Sequence, residues 1–258
     1  MSDSFSGIVI YKKDYRERDA LVKIFTQEYG FKMFFIKNYH RANHPLHSIL
    51  FPLTYNQYVG TIHADGLSFI REGVALNRFL SIRQDLTQQA HASYLAQLFD
   101  ASIEDQQADH ALFQLFLNIL QAMAQGKSAQ LLTIYGELHL LQRFGIYLHW
   151  QGCKLCGRLK GELDFSMALQ GVLCQQHYLA DPHRLHLSSN TVKVLILMAQ
   201  TPLSQINNIQ VRPETLKEMR YFMDQIYQEF VGIRLRSKSF LEQIEQFQGS
   251  LKPSSNEK

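Results

Sequence analysis

Residues 7–37 read GIVIYKKDYRERDALVKIFTQEYGFKMFFIK, and this stretch decides how the first third of the chain folds. It holds three apolar, β-branched and aromatic runs, Gly7–Tyr11, Ala20–Thr26 and Phe31–Lys37. The charged connection Asp14–Asp19 separates the first two, and the Tyr29-Gly30 turn separates the last two. Phe31, Met33 and Phe35 alternate against Lys32, which predicts one shared face for the three apolar side chains. Two further runs, Leu53–Thr61 and Leu67–Val74, follow with no helical pattern between them. Five short strands in so short a span predict a small closed barrel of the OB type, with a small open sandwich as the alternative.

From about residue 84 the apolar period changes from two to that of a helix. Leu86, Ala90, Tyr94, Leu98 and Phe99 form one stripe, and Leu112, Phe113, Phe116, Leu117, Leu120 and Met123 another. Leu131, Leu132, Tyr135, Leu138 and Leu141 form a third. Asp109 and Ser128 stand where N-caps belong, and Gly126 and Gly145 where helices end. Helices resume at Ser188–Gln200 and, with Pro213 suited to a first turn, at Glu214–Val231. The fold class is therefore α+β: a barrel domain at 1–80, a helical domain at 81–248 and a polar, disordered tail at 249–258.

All three cysteines fall in one constellation inside the helical region. Cys153-x2-Cys156 is followed, after seventeen residues, by Cys174-x2-His177. Two close pairs of soft or borderline donors are the spacing of a structural Cys3His zinc site, in which four protein ligands leave no open position for water. Such a metal staples a fold and does not activate a nucleophile. Gly152 and Gly157 bracket the first pair as a turn, unlike the helix start of a redox pair. His183 and His186 lie near enough in sequence to compete with His177 for the fourth corner.

The chain has 258 residues, 46% hydrophobic and 19% charged, as in an ordinary globular protein. No apolar run approaches a membrane span and no signal peptide is evident, so a cytoplasmic location is expected. The net charge of +3 is uneven. Residues 1–83 carry 11 Lys/Arg against 7 Asp/Glu, residues 84–152 carry 2 against 6, and residues 153–258 carry 13 against 10. A basic module followed by an acidic stretch predicts separate surfaces for separate partners.

Catalytic signatures fail. Gly126-Lys127-Ser128 resembles the end of a phosphate-binding loop, but Gln121 stands where its first glycine is required, and the flanks are helical. No H-x-E precedes the Cys153 pair, and H-E-x-x-H and G-x-S-x-G are absent. A non-enzymatic protein is expected.

The segments Gly7–Asp19 with Val22–Thr26 and Glu28–Gly30, Leu50–Thr54, Gly152–Gly157 with Phe165-Ser166 and Gly171–Cys174, and Leu235–Leu241 together resemble the RecO family of bacterial recombination mediators, over about residues 6–241. The loop after the third run departs from the family's Lys/Arg-rich pattern: it reads Lys37-Asn-Tyr-His-Arg-Ala-Asn-His44. The resemblance implies binding to single- and double-stranded DNA, annealing of complementary strands and assistance to RecA loading in recombinational DNA repair, in a nucleoid-associated setting. The partners it implies are RecR, the acidic tail of single-strand-binding protein, RecF and RecA.

Phosphate neutralisation is then expected from Lys12, Lys13, Arg16, Arg18, Lys23, Lys32, Lys37, Arg41 and Arg71, with Arg234, Arg236 and Lys238 from the C-terminal motif. Exposed barrel aromatics would offer stacking platforms. An acidic tail needs an apolar groove with a cationic rim, for which Arg143 and Lys217 are the foremost candidates, with Lys127, Arg184, Lys193 and Arg220 in reserve. The competing reading is a zinc-containing RNA-binding or transcription-regulatory protein.

Overall fold

The structure, a computed structural model, describes residues 3–206 and 210–251. The chain divides into two compact units, Met1–Ala129 with Leu235–Lys258, and Gln130–Arg234.

The first unit is built on a closed barrel of β1 (Asp3–Tyr15), β2 (Asp19–Thr26), β3 (Gly30–Ile36), β4 (Tyr55–Thr61) and β5 (Ser68–Asn77), in the order β1-β2-β3-β5-β4. Every pairing is antiparallel except β3 with β5. Closure depends on β1, long enough to pair with β4 through residues 3–8 and with β2 through residues 7–15. At Gly7, where both pairings overlap, a Cβ would stand 2.5 Å from Ile24 Cγ2, so only glycine fits. The interior is filled by Phe5, Val9, Val22, Ile24, Phe34 and Tyr58, and is plugged by Tyr39, Leu46, Ile49 and Leu50 from the β3–β4 connection. Asn56 anchors that plug, donating from Nδ2 to the Ile49 carbonyl at 2.9 Å and to the Tyr58 hydroxyl at 2.6 Å.

Phe31, Met33 and Phe35 share one face of β3, as the alternation predicts, and that face is the outer one. Phe34 and Ile36 point into the barrel with Lys32 on the same side, while Phe31, Met33 and Phe35 point out. Phe31 is nevertheless fully buried, because it stacks on Phe25 at 4.1 Å, and Phe25 meets Phe113 of a covering helix. Alternation reports two faces but not which one is the core when both are covered.

α1 (Leu80–Gln84), α2 (Leu86–Ala101) and α3 (His110–Ala124) complete the first unit together with α7 (Arg236–Leu251). Asp85 caps α2, accepting from the Thr87 and Gln88 amides, and Asp109 caps α3 through Leu112 N–H at 2.8 Å. α7 packs against α2: Ser237 Oγ donates to Gln97 Oε1 at 2.8 Å, and Lys238 Nζ lies 5.3 Å from the Tyr94 ring centroid. The disordered tail expected at 249–258 starts too early, because Gly249–Leu251 are still helical at the end of α7; its remainder, from 252 onward, lies outside the described residues.

The second unit contains α4 (Ala129–Leu140), a 3-10 turn at Leu141–Phe144 ending on Gly145, a hairpin of β6 (Leu163–Ser166) and β7 (Gly171–Cys174), α5 (Ser189–Gln200) and α6 (Pro213–Ile226). α6 runs on through a π turn, Tyr227–Val231, and stops at Gly232 with φ 67°. Trp150, Phe165 and Phe222 form an aromatic core, with centroids 4.9–5.9 Å apart. Among the described residues no helix is long and apolar enough to cross a membrane.

Candidate metal centre and nucleic-acid interface

The metal centre is assembled by two local turns. In the first, Gly157 N–H donates to the Cys153 carbonyl at 2.7 Å and Cys153 N–H to the Arg158 carbonyl at 2.9 Å. Gly152, at φ +113°, must lack a Cβ, which would stand 2.5 Å from the Gly157 carbonyl oxygen. Lys154 N–H then donates to Val172 O at 2.7 Å, docking the turn on β7. Cys174 ends β7, and the 3-10 turn Gln175–Ala180 swings His177 back beside it.

Cys153, Cys156, Cys174 and His177 thereby bring their ligand atoms within 4.8 Å of one another. His177 Nδ1 is 3.4 Å from both Cys153 Sγ and Cys174 Sγ, and the Cys156 and Cys174 sulfurs are 3.7 Å apart. A tetrahedral ion with bonds of about 2.0–2.3 Å sets neighbouring ligand atoms about 3.4–3.8 Å apart, so these residues fit one metal ion. His177 is the histidine that joins the three cysteines in this cluster, whereas His183 and His186 line a separate cavity with Met167 and Tyr221. Burial pushes the Cys153 thiol up, but amide donors from Cys174, Leu155 and Cys156 outweigh it and hold it below the usual cysteine range, whereas burial and the neighbouring Cys153 and Cys156 push the Cys174 thiol up.

The module is fastened by the buried Asp164, which accepts from the Phe165, Leu187 and His186 amides at 2.7–3.1 Å. Arg184 Nε pairs with the same carboxylate at 2.9 Å, its guanidinium 4.1 Å from the Tyr178 ring centroid. Arg220 is spent likewise on Glu137. Both arginines are structural, which removes them from the reserve candidates for a cationic rim. Arg143, in the 3-10 turn after α4, and Lys217, on α6, are exposed.

The barrel cations divide into two groups. Lys13, Arg16, Arg18, Lys37, Arg41 and Arg71 are exposed. Arg16, at φ 57°, turns the β1–β2 connection and lays its guanidinium 5.2 Å from the Tyr15 ring centroid. Lys12 is half-buried and donates to the Tyr39 hydroxyl at 2.8 Å. Lys23 and Lys32 are corrections: neither is available to a phosphate. Lys23 Nζ sits 2.7 Å from Asp100 and 2.8 Å from Asp105. Lys32 is buried and donates to the carbonyls of His63 and Ala64 and to Gln106 Oε1. Burial holds the Lys32 ammonium below the usual lysine range, with Asp65 and Asp105 only partly opposing it.

In the β3–β4 connection, Tyr39 is ringed by His40, His44 and His47, with centroids 4.7–5.7 Å away. Burial and the neighbouring His47 hold His44 below the ordinary histidine range, while the Lys37 carbonyl opposes them. Lys37 and Arg41 are the exposed permanent cations of this loop. Of the C-terminal set, Arg234 and Arg236 are exposed, whereas Lys238 is half-buried and 3.8 Å from Glu242. The sequence reading did not single out a row of outward aromatics, Tyr15, Phe35 and Phe69; the doubled Phe34-Phe35 in one strand was the available signal.

An OB-like barrel with basic loops, joined to helices and followed by a helical unit with a Cys3His knuckle, defines a two-unit protein whose four clustered donors could hold a metal ion. The family model for Recombination protein O N terminal matches residues 1–79, and that for Recombination protein O C terminal matches residues 83–239. The chain is 39% identical to the DNA repair protein RecO of Enterococcus faecalis over 246 residues, 95% of this chain and 94% of that one. It is 38% identical over 257 residues to DNA repair protein RecO of Lactiplantibacillus plantarum, covering both chains fully, and 36% identical over 247 residues to that of Streptococcus suis. The chain belongs to the RecO family.

Proposed function

We propose that this protein is a non-enzymatic mediator of recombinational DNA repair, which binds DNA through the barrel and anneals complementary single strands. The observation that carries the reading is its similarity, along nearly the whole chain, to DNA repair proteins named RecO. The exposed cations Lys13, Arg16, Arg18, Lys37, Arg41 and Arg71, with half-buried Lys12 beside them, supply the electrostatics. Such side chains neutralise phosphates and release counterions without reading bases, so the partners are single- and double-stranded DNA of any sequence. Arg234, Arg236 and the partly engaged Lys238 form a second basic set.

DNA binding is assigned to residues 1–80, and partner contacts to the helical region at 81–248. RecR, RecF, RecA and the acidic tail of single-strand-binding protein are the proposed partners, with Arg143 and Lys217 rimming the tail's site. Annealing and assistance to RecA loading would take place at the nucleoid, in the cytoplasm. Zinc is the ion proposed for Cys153, Cys156, Cys174 and His177, because three thiolates and an imidazole suit it and a full set of four ligands gives a structural role.

An annealing assay with complementary oligonucleotides tests the reading directly. The protein should accelerate duplex formation, most strongly at low salt. An unchanged annealing rate, with no binding to either strand, would remove it.

A further inference from the structure

On the outer face of the barrel a lateral row crosses four strands in register. Lys13 of β1 stands opposite Leu21 of β2, Leu21 opposite Phe35 of β3, and Phe35 opposite Phe69 of β5. Partners in register point to the same side of a sheet, so this row faces away from the core that Phe34 and Ile36 fill. Tyr15 meets Phe35 edge-to-face at 6.0 Å and 89°, and Phe35 meets Phe69 at 6.1 Å and 82°. His63 extends the line, 5.7 Å from Phe69. Phe69 is 44% exposed, and Tyr15 and Phe35 are half-buried. Edge-to-face contacts lock each ring against its neighbour, leaving ring surface open to solvent.

A row of open rings on a sheet needs an occupant, and charge selects it. Lys13 lies in the row itself. Arg71, the extra residue where β5 bulges past Val59 and Gly60, is exposed two residues beyond Phe69. Rings flanked by cations suit a polyanion that also carries flat aromatic groups. Duplex DNA presents its phosphates but keeps its bases stacked inside, so it cannot use the rings.

We propose that Tyr15, Phe35 and Phe69 form a stacking row for the bases of single-stranded DNA, with Lys13 and Arg71 holding the adjoining phosphates. The proposal rests on the DNA-binding reading above and deepens it: it names the face and the strandedness. Base–aromatic stacking tolerates any sequence, because every base has a π face.

The test uses the full chain and fluorescence anisotropy with three dye-labelled ligands: an oligo-dT, an abasic strand of equal length and a duplex. The wild type should bind oligo-dT more tightly than the abasic strand, which has the same phosphates and no bases. Phe69→Ala should weaken oligo-dT binding roughly tenfold, leaving the abasic strand, the duplex and the salt slope unchanged, while Phe69→Trp retains the affinity. Phe35→Leu, which keeps an apolar side chain in the row, should narrow the same preference. Phe69→Ala binding oligo-dT as tightly as the wild type would overturn the row, as would equal losses on oligo-dT and the abasic strand. A wild type that binds oligo-dT and the abasic strand equally would overturn the row and leave DNA binding standing. A wild type that binds none of the three ligands would remove both.

Discussion

Lys23 Nζ lies 2.7 Å from Asp100 Oδ1, and the lysine side chain is only 11% exposed. This pair joins the outer side of β2 to the end of α2 within the first unit, with Asp105 as a second acceptor at 2.8 Å. Burial alone would lower the Lys23 pKa; hydrogen bonds to the two carboxylates outweigh it and raise it. Burial raises Asp100, against the opposing pull of Lys23. Lys23→Ala should therefore cost about 3 kcal/mol of stability by leaving a partly buried carboxylate unpaired, while leaving the salt slope of DNA binding intact. Chemical denaturation and a salt titration separate the two effects.

The cations of β1 and the β1–β2 turn, exposed except for half-buried Lys12, should behave in the opposite way. Replacing Lys12, Lys13, Arg16 and Arg18 with alanine should lower the slope of log K against log salt by roughly 3 if each contacts a phosphate. The fold should survive, at a cost of about 1 kcal/mol for the lost bond from Lys12 to Tyr39. An unchanged slope would move the DNA surface elsewhere, with Arg234 and Arg236 the next to test.

Metal analysis should find about one zinc per chain. Cys153→Ser should depress the melting temperature more than DNA affinity, because a closed metal site contributes to folding. His177→Ala should lose metal whereas His183→Ala retains it. The reverse result would mean that the knuckle rearranges around its ion.

Arg143→Glu and Lys217→Glu should weaken binding of an acidic peptide with an apolar end, leaving annealing of naked DNA nearly unchanged. Equal loss of both activities would point to one shared basic surface. Arg220→Glu is the informative contrast: it breaks the bidentate pair with the fully buried Glu137, at 2.6 and 3.1 Å, and should unfold the second unit instead of weakening one ligand.

Glu218 accepts from Ser188 N–H at 2.9 Å and from the Thr191 hydroxyl at 2.6 Å at the start of α5. Burial pushes its carboxyl up, but the Thr191 and Ser188 hydrogen bonds outweigh it and hold it below the ordinary glutamate value of 4.5. A lowered folded pKa stabilises the protein above the unfolded value, and that stability is lost as pH falls through the folded one. Glu218→Gln should therefore lower stability at neutral pH and flatten its decline below about pH 4.5. Melting curves across that range check it.

Features governed by near neighbours were legible in the sequence. The Cys3His set needs only two turns and a hairpin, so its spacing named the cluster, with His177 left beside His183 and His186 until the 3-10 turn placed Nδ1. Asp109 as an N-cap, Gly145 as a helix stop and the closed barrel of five strands were written in local pattern as well. The C-terminal motif gave residues but not its helix, since the apolar positions of α7 acquire meaning only against α2.

What the tertiary structure alone decided is which side of each strand meets the core and which charges are already taken. Lys13 and Lys23 look alike in sequence, ten residues apart in one basic stretch. Long-range pairing brings Asp100 and Asp105 to Lys23 and leaves Lys13 exposed; it turns Lys32 inward with Phe34 and lines Phe35 up with Phe69 across a parallel pair. A side chain's charge and shape are local properties fixed by residue type. Its burial and its partner depend on segments tens of residues away, and only barrel closure and helix packing bring those segments to it.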